Sequence, residues 1–339
     1  MIKSITEKLD FSHIQLNPRT FKIGDGLPPP PSSRSEINLF VNDRIPVIVA
    51  NMDSIGTFDI ARIVCPMGLM VAILKEYSVD DWKEALADGV INPCRVIPTI
   101  GLRNLDEEIK KVRQIVQAFP TIDIVCLDVA NGYLHSAADA VKRMKDELPG
   151  IKVCAGNIVG EEGLVHLAQA GASIVKVGIG SGGVCLTRRM TGVGCPQFSA
   201  VMDLAKPALE LGVELISDGG MTNPGDAMKA FVAGASYVMS GSYFAGHDET
   251  GTSFHGMSSH GSRAIRSQKK ENYRASEGRE VKLAPRGPIA NTVQEFLGGL
   301  NSSCMYLGLR NLADARLAEI TANRVYQQLN RIEGVDKES

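Results

Sequence analysis

The chain has 339 residues, 44% hydrophobic and 22% charged, with a formal net charge of -2. That balance excludes the basic field of a nucleic-acid binder and the composition of a disordered acidic chain. No stretch is long and apolar enough for a membrane span, and MIKSITEKLD lacks a secretory signal's apolar core.

Short runs rich in Val and Ile predict strands at 45–51, 68–74, 94–101, 123–130, 151–158, 173–180, 213–220 and 237–241. Such runs suit strands buried on both faces. Apolar spacings of three and four predict helices at 78–88, 105–118, 136–148, 161–171, 198–212 and 224–234. Ser78 with acidic residues behind it marks a helix start. Eight strands alternating with helices predict an α/β chain forming a (β/α)8 TIM barrel in one catalytic domain, 1–339. The excess length lies in an extended N-terminal surface segment (1–40), a long loop after strand six (181–212), a flap (242–292) and a helical C-terminal tail (307–339, helix 307–333). An open doubly wound sheet ranks second, because GIGSGG at 178–183 fits a dinucleotide fingerprint only loosely.

The seven cysteines show no CxxC spacing, so the expectation is a reduced cytoplasmic protein without disulfides or structural zinc. Six histidines show no paired spacing, which predicts no catalytic metal.

Barrel chemistry sits on the loops that follow the strands. Cys185 is the leading nucleophile candidate, in GIGSGGVCLTRRMTGVGCPQ with Arg188 and Arg189 just downstream. A lone cysteine is more often a small buried residue; its place after a barrel strand favours chemistry. Asp218-Gly219-Gly220 and Gly241-Ser242 follow strands seven and eight, where backbone amides commonly build a phosphate site. Asp218 suits ribose hydroxyls better than a phosphate. Acid–base work falls to a hydroxyl or carboxylate such as Thr187 or Glu277.

These residues stand in recognisable stretches: ANMDSIGTFDIA (50–61), CLDVANGY (126–133), KVGIG (176–180), TGVGCPQFSAV (191–201), SDGGMTNPGDAMKAF (217–231), YRASEGREV (273–281) and LGGLNSSCMYLG (297–308). The chain resembles the IMP dehydrogenase/GMP reductase superfamily along nearly its whole length. YRASEG is similar to the reductase branch, and the tandem regulatory CBS module of most dehydrogenases is missing.

The resemblance implies an oxidoreductase of purine nucleotide salvage, a cytoplasmic homotetramer. It would convert GMP to IMP and ammonia with NADPH, through a thioimidate on Cys185, with Thr187 and Glu277 handling protons. It assigns substrate binding to Asp218, Gly219, Gly220, Gly241, Ser242, Gly256, Met257, Ser258, Arg274, Ala275, Ser276 and Gly278. It assigns cofactor binding to Ser33, Arg34, Lys75, Asp128, Val129, Ala130, Tyr273, Ser302 and Ser303, with Met257 also touching the nicotinamide. The carbonyls of Gly180, Gly182 and Cys185 would form a potassium loop. The alternatives are a short dehydrogenase making XMP from IMP with NAD, a relative of altered purine specificity, and a weakly catalytic nucleotide-binding regulator. The chain departs from the family pattern where Gly183 replaces a phosphate-contacting serine, Ser242 a reductase glycine, Ser181 a proline and Leu186 a threonine. The flap is also shortened after Gly251, and 259–272 is strongly basic.

Overall fold

A computed structural model describes residues 6–19, 29–256 and 277–322. Eight parallel strands close into a barrel in chain order. They are Val47–Val49, Met70–Ile73, Val96–Ile100, Ile124–Asp128, Lys152–Ile158, Ile174–Val177, Glu214–Asp218 and Tyr237–Ser240. The last pairs with the first, so no barrel edge is left open. Each strand lies within an expected apolar run.

Both faces of the strands are apolar because both are buried. Ile48, Met70, Ile97, Ile124, Ile174, Ile216 and Met239 fill the interior, while Val49, Val71, Val125, Val153 and Val175 pack on the helices. The interior is therefore packed, and chemistry is left to the rim.

The six expected helices are present as Val79–Leu86, Leu105–Ala118, His135–Glu147, Glu161–Gln169, Gln197–Glu210 and Pro224–Ala233. Ser78 caps the first of these. Its hydroxyl accepts from Asp81 N at 3.2 Å, and the Asp81 carboxylate accepts from Ser78 N at 2.7 Å. Three helices among the described residues lie outside the expected set, one of them the single turn Thr187–Thr191 in the loop after strand six. Phe58–Val64 has seven residues, too few to reveal a period. Ile289–Leu307 is the last helix among the described residues, upstream of the expected 307–333, of which 323–333 lie outside the described residues. It packs against Pro224–Ala233 and Phe58–Val64 and so completes the outer ring. Beyond it come a 3-10 segment, Leu312–Leu317, and a strand, Ile320–Ala322. The flap thus ends before Ile289, and its roots pair as antiparallel strands Ser253–His255 and Glu280–Lys282.

The N-terminal region differs from the expected surface extension. Phe11 and Ile14, three residues apart, are both buried. Ile14–Leu16 pairs antiparallel with Ile320–Ala322, and the Phe11 ring meets Phe198 edge-on at 6.3 Å. Burying two large apolar side chains fixes this segment to the barrel.

Candidate active site

Strand six, Ile174–Val177, runs into the glycine-rich loop that carries Cys185. The Ser181 hydroxyl donates to the Asp218 carbonyl at 2.9 Å, tying this loop to the end of strand seven. Arg188 folds against Gly180 and Gly194, donates to the Cys195 carbonyl, and lies 3.5 Å from Asp10. Its charge is thus engaged in holding the loop. Asp10 also accepts from Gln197 N at 2.8 Å, at the start of Gln197–Glu210. The docked N-terminal segment therefore underpins the cysteine loop.

The returning flap strand clamps the other side. Leu186 N donates to the Glu277 carbonyl at 2.6 Å, and Arg279 N to the Val184 carbonyl at 3.0 Å. Cys185 and Gly278 face each other in this bridge. Gly256 lies so close that a Cβ there would sit 2.9 Å from Gly278 Cα. These backbone bonds place three side chains in a row. Thr187 Oγ1 donates to Glu277 Oε2 at 2.9 Å, and Cys185 Sγ is 3.2 Å from Thr187 Oγ1. A hydroxyl between a thiol and a carboxylate can pass a proton either way.

Beside this row the rim is polar. Asn157 Nδ2 donates to Asp218 Oδ2 and to the Gly178 carbonyl, both at 2.8 Å. The Lys176 ammonium donates to Asp128 Oδ1 and lies 4.0 Å from Asp218 Oδ2. Burial pushes the Asp128 carboxyl up, but Lys176, Asn51 and Lys75 outweigh it and hold Asp128 below the usual carboxylate range. Burial raises Asp218 above that range, with Lys176 and Asn157 opposing. Gly219 and Gly220 have φ of +84° and +78°, and a Cβ on Gly219 would sit 2.8 Å from Ser181 Oγ. The two therefore leave backbone open beside Asp218, as an anion cradle requires. Ser242 opens a short 3-10 turn after strand eight, next to Gly241, where Met52 and Phe254 crowd the backbone.

Val129 and Ala130 follow strand four, and Val129 N donates to the Gly156 carbonyl at 3.0 Å. The Lys75 ammonium lies beside Gly101, 3.3 Å from where a Cβ would be. Ser302 and Ser303 lie elsewhere, on the outer helix Ile289–Leu307, and Ser33 and Arg34 open the 3-10 segment Arg34–Glu36 that packs against it. Arg34 donates to Ser302 Oγ at 3.1 Å, and Ser303 Oγ to the Gly299 carbonyl at 3.1 Å. Met257, Ser258, Tyr273, Arg274, Ala275 and Ser276 lie outside the described residues. No group of three or more His, Cys, Asp or Glu that could hold a metal occurs among the described residues.

The family model for the IMP dehydrogenase / GMP reductase domain matches residues 9–327. The chain belongs to the IMP dehydrogenase/GMP reductase family. It is 40% identical over 347 residues to GMP reductase 2 of Mus musculus, covering 96% of each chain. It is 38% identical to GMP reductase of Onchocerca volvulus, covering 95% of this chain and 92% of that one. It is 41% identical over 303 residues to GMP reductase of Escherichia coli O157:H7, covering 85% and 86%.

Membership in this family sharpens what sequence reasoning overlooked. Lys176 and Asn157 are central to the rim; the strand-end pattern points to Asn157 without a role, and nothing in it points to Lys176. The signal for Lys176 was a lone cation inside the four-residue apolar strand Ile174–Val177. Such a residue is rarely buried without a partner.

Proposed function

We propose that the chain is a GMP reductase, an NADPH-dependent oxidoreductase that converts GMP to IMP and ammonia. The observation that carries this reading is the row Cys185, Thr187, Glu277, assembled from residues 90 apart. Cys185 as thiolate attacks carbon 2 of the guanine and forms a carbon–sulfur bond. Thr187, poised by Glu277, delivers a proton to the exocyclic amine, which leaves as ammonia. A thioimidate remains on Cys185. Bound NADPH supplies a hydride for carbon 2. The carbon–sulfur bond then breaks, the thiolate returns, and IMP is free to leave.

Substrate binding falls to Asp218, Gly219, Gly220, Gly241, Ser242, Gly256 and Gly278, with Met257, Ser258, Arg274, Ala275 and Ser276 on the flap. Asp218 accepts from ribose hydroxyls, and the glycine backbones face the phosphate. The residues fit a nicotinamide cofactor: an ionised Asp128 accepts ribose hydroxyls, and Lys75 places a cation beside open backbone at Gly101. Val129 and Ala130 follow Asp128 directly, and Tyr273 is assigned to the same cofactor. Ser33, Arg34, Ser302 and Ser303, on the outer ring, serve a neighbouring subunit's cofactor within a homotetramer. The Gly180, Gly182 and Cys185 carbonyls would hold potassium; Gly182 O accepts from Cys185 N at 3.0 Å and keeps a second lone pair. Residues 1–339 act as one catalytic domain without a CBS module, in the cytoplasm. No helix among the described residues is long and apolar enough to cross a membrane.

Incubation with GMP and NADPH tests the proposal. NADPH loss with equimolar ammonia is expected. NADH formation from IMP and NAD identifies a dehydrogenase instead. Silence in both assays with GMP still bound identifies a regulator.

A further inference from the structure

Strand six alternates between the apolar interior and the helical shell. Ile174 faces inward, and so does Lys176 one step nearer the rim. Its neighbour across the sheet is Gly156. A Cβ on Gly156 would come 2.7 Å from Lys176 Cβ, so a glycine there makes room for the lysine stem. The Lys176 side chain is 1% exposed and cannot reach a ligand from solvent. The two carboxylates around it can, with Asp128 and Asp218 retaining 26% and 20% exposure. They come from strands four and seven. The thiols of Cys126 and Cys154 and the ammonium of Lys75 complete the charged and titratable surroundings.

We propose that Lys176 is a positioning residue that holds Asp218 of the substrate subsite and Asp128 of the cofactor subsite on one shared cation. The inference rests on the functional reading of those two aspartates. A purely structural ion pair needs one carboxylate, not two from different strands, each turned to the rim. Two carboxylates share this ammonium, with Lys75 a second cation near Asp128, and their remaining lone pairs still call for donors. Ribose hydroxyls donating from each ligand are suited to supply them. Asn157 extends the link, since the same amide holds Asp218 and the Gly178 carbonyl of the cysteine loop. Lysine tethers both ligands' anchors while touching neither.

The test compares wild type, Lys176→Met, Asp128→Asn and the double variant in steady-state turnover of GMP with NADPH. Lys176→Met is expected to raise KM for both GMP and NADPH by about tenfold or more, with a smaller change in kcat. A merely structural role would lower the active fraction and leave both KM values in place, and that result overturns the proposal. For NADPH, Lys176 acts only through Asp128. Adding Lys176→Met to Asp128→Asn is therefore expected to leave KM for NADPH within about threefold of the single variant. The double variant removes the cation together with one carboxylate, so it remains informative if Lys176→Met does not fold. A further tenfold rise in the double variant overturns the proposal. Wild type that fails to turn over GMP overturns the functional reading as well; an active wild type with unaltered KM in the variant overturns this inference alone.

Discussion

Thr187 donates to Glu277 across 90 residues of sequence, at 2.9 Å, while the same hydroxyl lies 3.2 Å from the Cys185 sulfur. The Glu277 carboxylate is therefore linked to the Cys185 sulfur through the hydroxyl. Glu277→Gln keeps the size of the side chain and removes the base. Its kcat is expected to fall by about 100- to 10,000-fold with little change in KM for GMP. Thr187→Val should do the same, and the double variant should be no worse than either single, because the pair acts as one unit. Steady-state kinetics on the three proteins checks this.

Cys185→Ser should lower turnover by on the order of a thousandfold or more while GMP still binds. Calorimetry reads the binding. Acid-quenched wild type should carry nucleotide mass on the peptide containing Cys185, and its absence throughout turnover would remove the covalent route.

Two glycines of the rim should respond in opposite ways. Gly219 combines φ of +84° with a Cβ position 2.8 Å from Ser181 Oγ, so Gly219→Ala is expected to cost about 1–3 kcal/mol in urea unfolding and to weaken GMP binding. Gly183 has nothing within 4 Å of a built Cβ. Gly183→Ser should leave stability within about 0.5 kcal/mol of wild type and tighten GMP binding by up to about tenfold, through one added hydroxyl near the phosphate.

His247 gives the fold a dependence on pH. It is buried, with Nδ1 assigned as donor to the Gly287 carbonyl at 3.1 Å. Nε2 is buried with no hydrogen-bond partner among the described residues. Burial, with Arg286 adding to it, holds the imidazole below its ordinary value of 6.5. The unfolded chain therefore takes up the proton first. This contribution to stability is complete above 6.5 and is lost as pH falls from there toward the lower folded-state value. Tm should drop on acidification from about pH 8 to about pH 5.5, and His247→Asn should flatten that drop.

The barrel was readable because a strand buried on both faces is a short unbroken run of Val and Ile, as in 173–180. The helix Ile289–Leu307 was not, since Gly298 and Gly299 interrupt it. Gly299 lies against Pro224, where a side chain would push two helices apart. That close packing is a tertiary demand invisible to propensity. In the site, residue type and loop position pointed to Cys185 and Asp218. The partnership of Thr187 with Glu277 came from resemblance, because a flap strand that folds back leaves no periodic trace. Lys176 went unnoticed for a related reason: one charge among valines reads as noise until Asp128 and Asp218 are seen converging on it.

Ile14–Leu16 finds its partner in Ile320–Ala322, so an early piece of the polypeptide waits for a very late one. During synthesis on the ribosome all eight barrel strands emerge before this clasp can close. The residues next to the clasp, Asp10 and Phe11, brace Gln197 and Gly220. The bracing of these loops thus waits on a segment synthesised after every barrel strand, and a nascent chain can own a barrel before it owns a finished mouth.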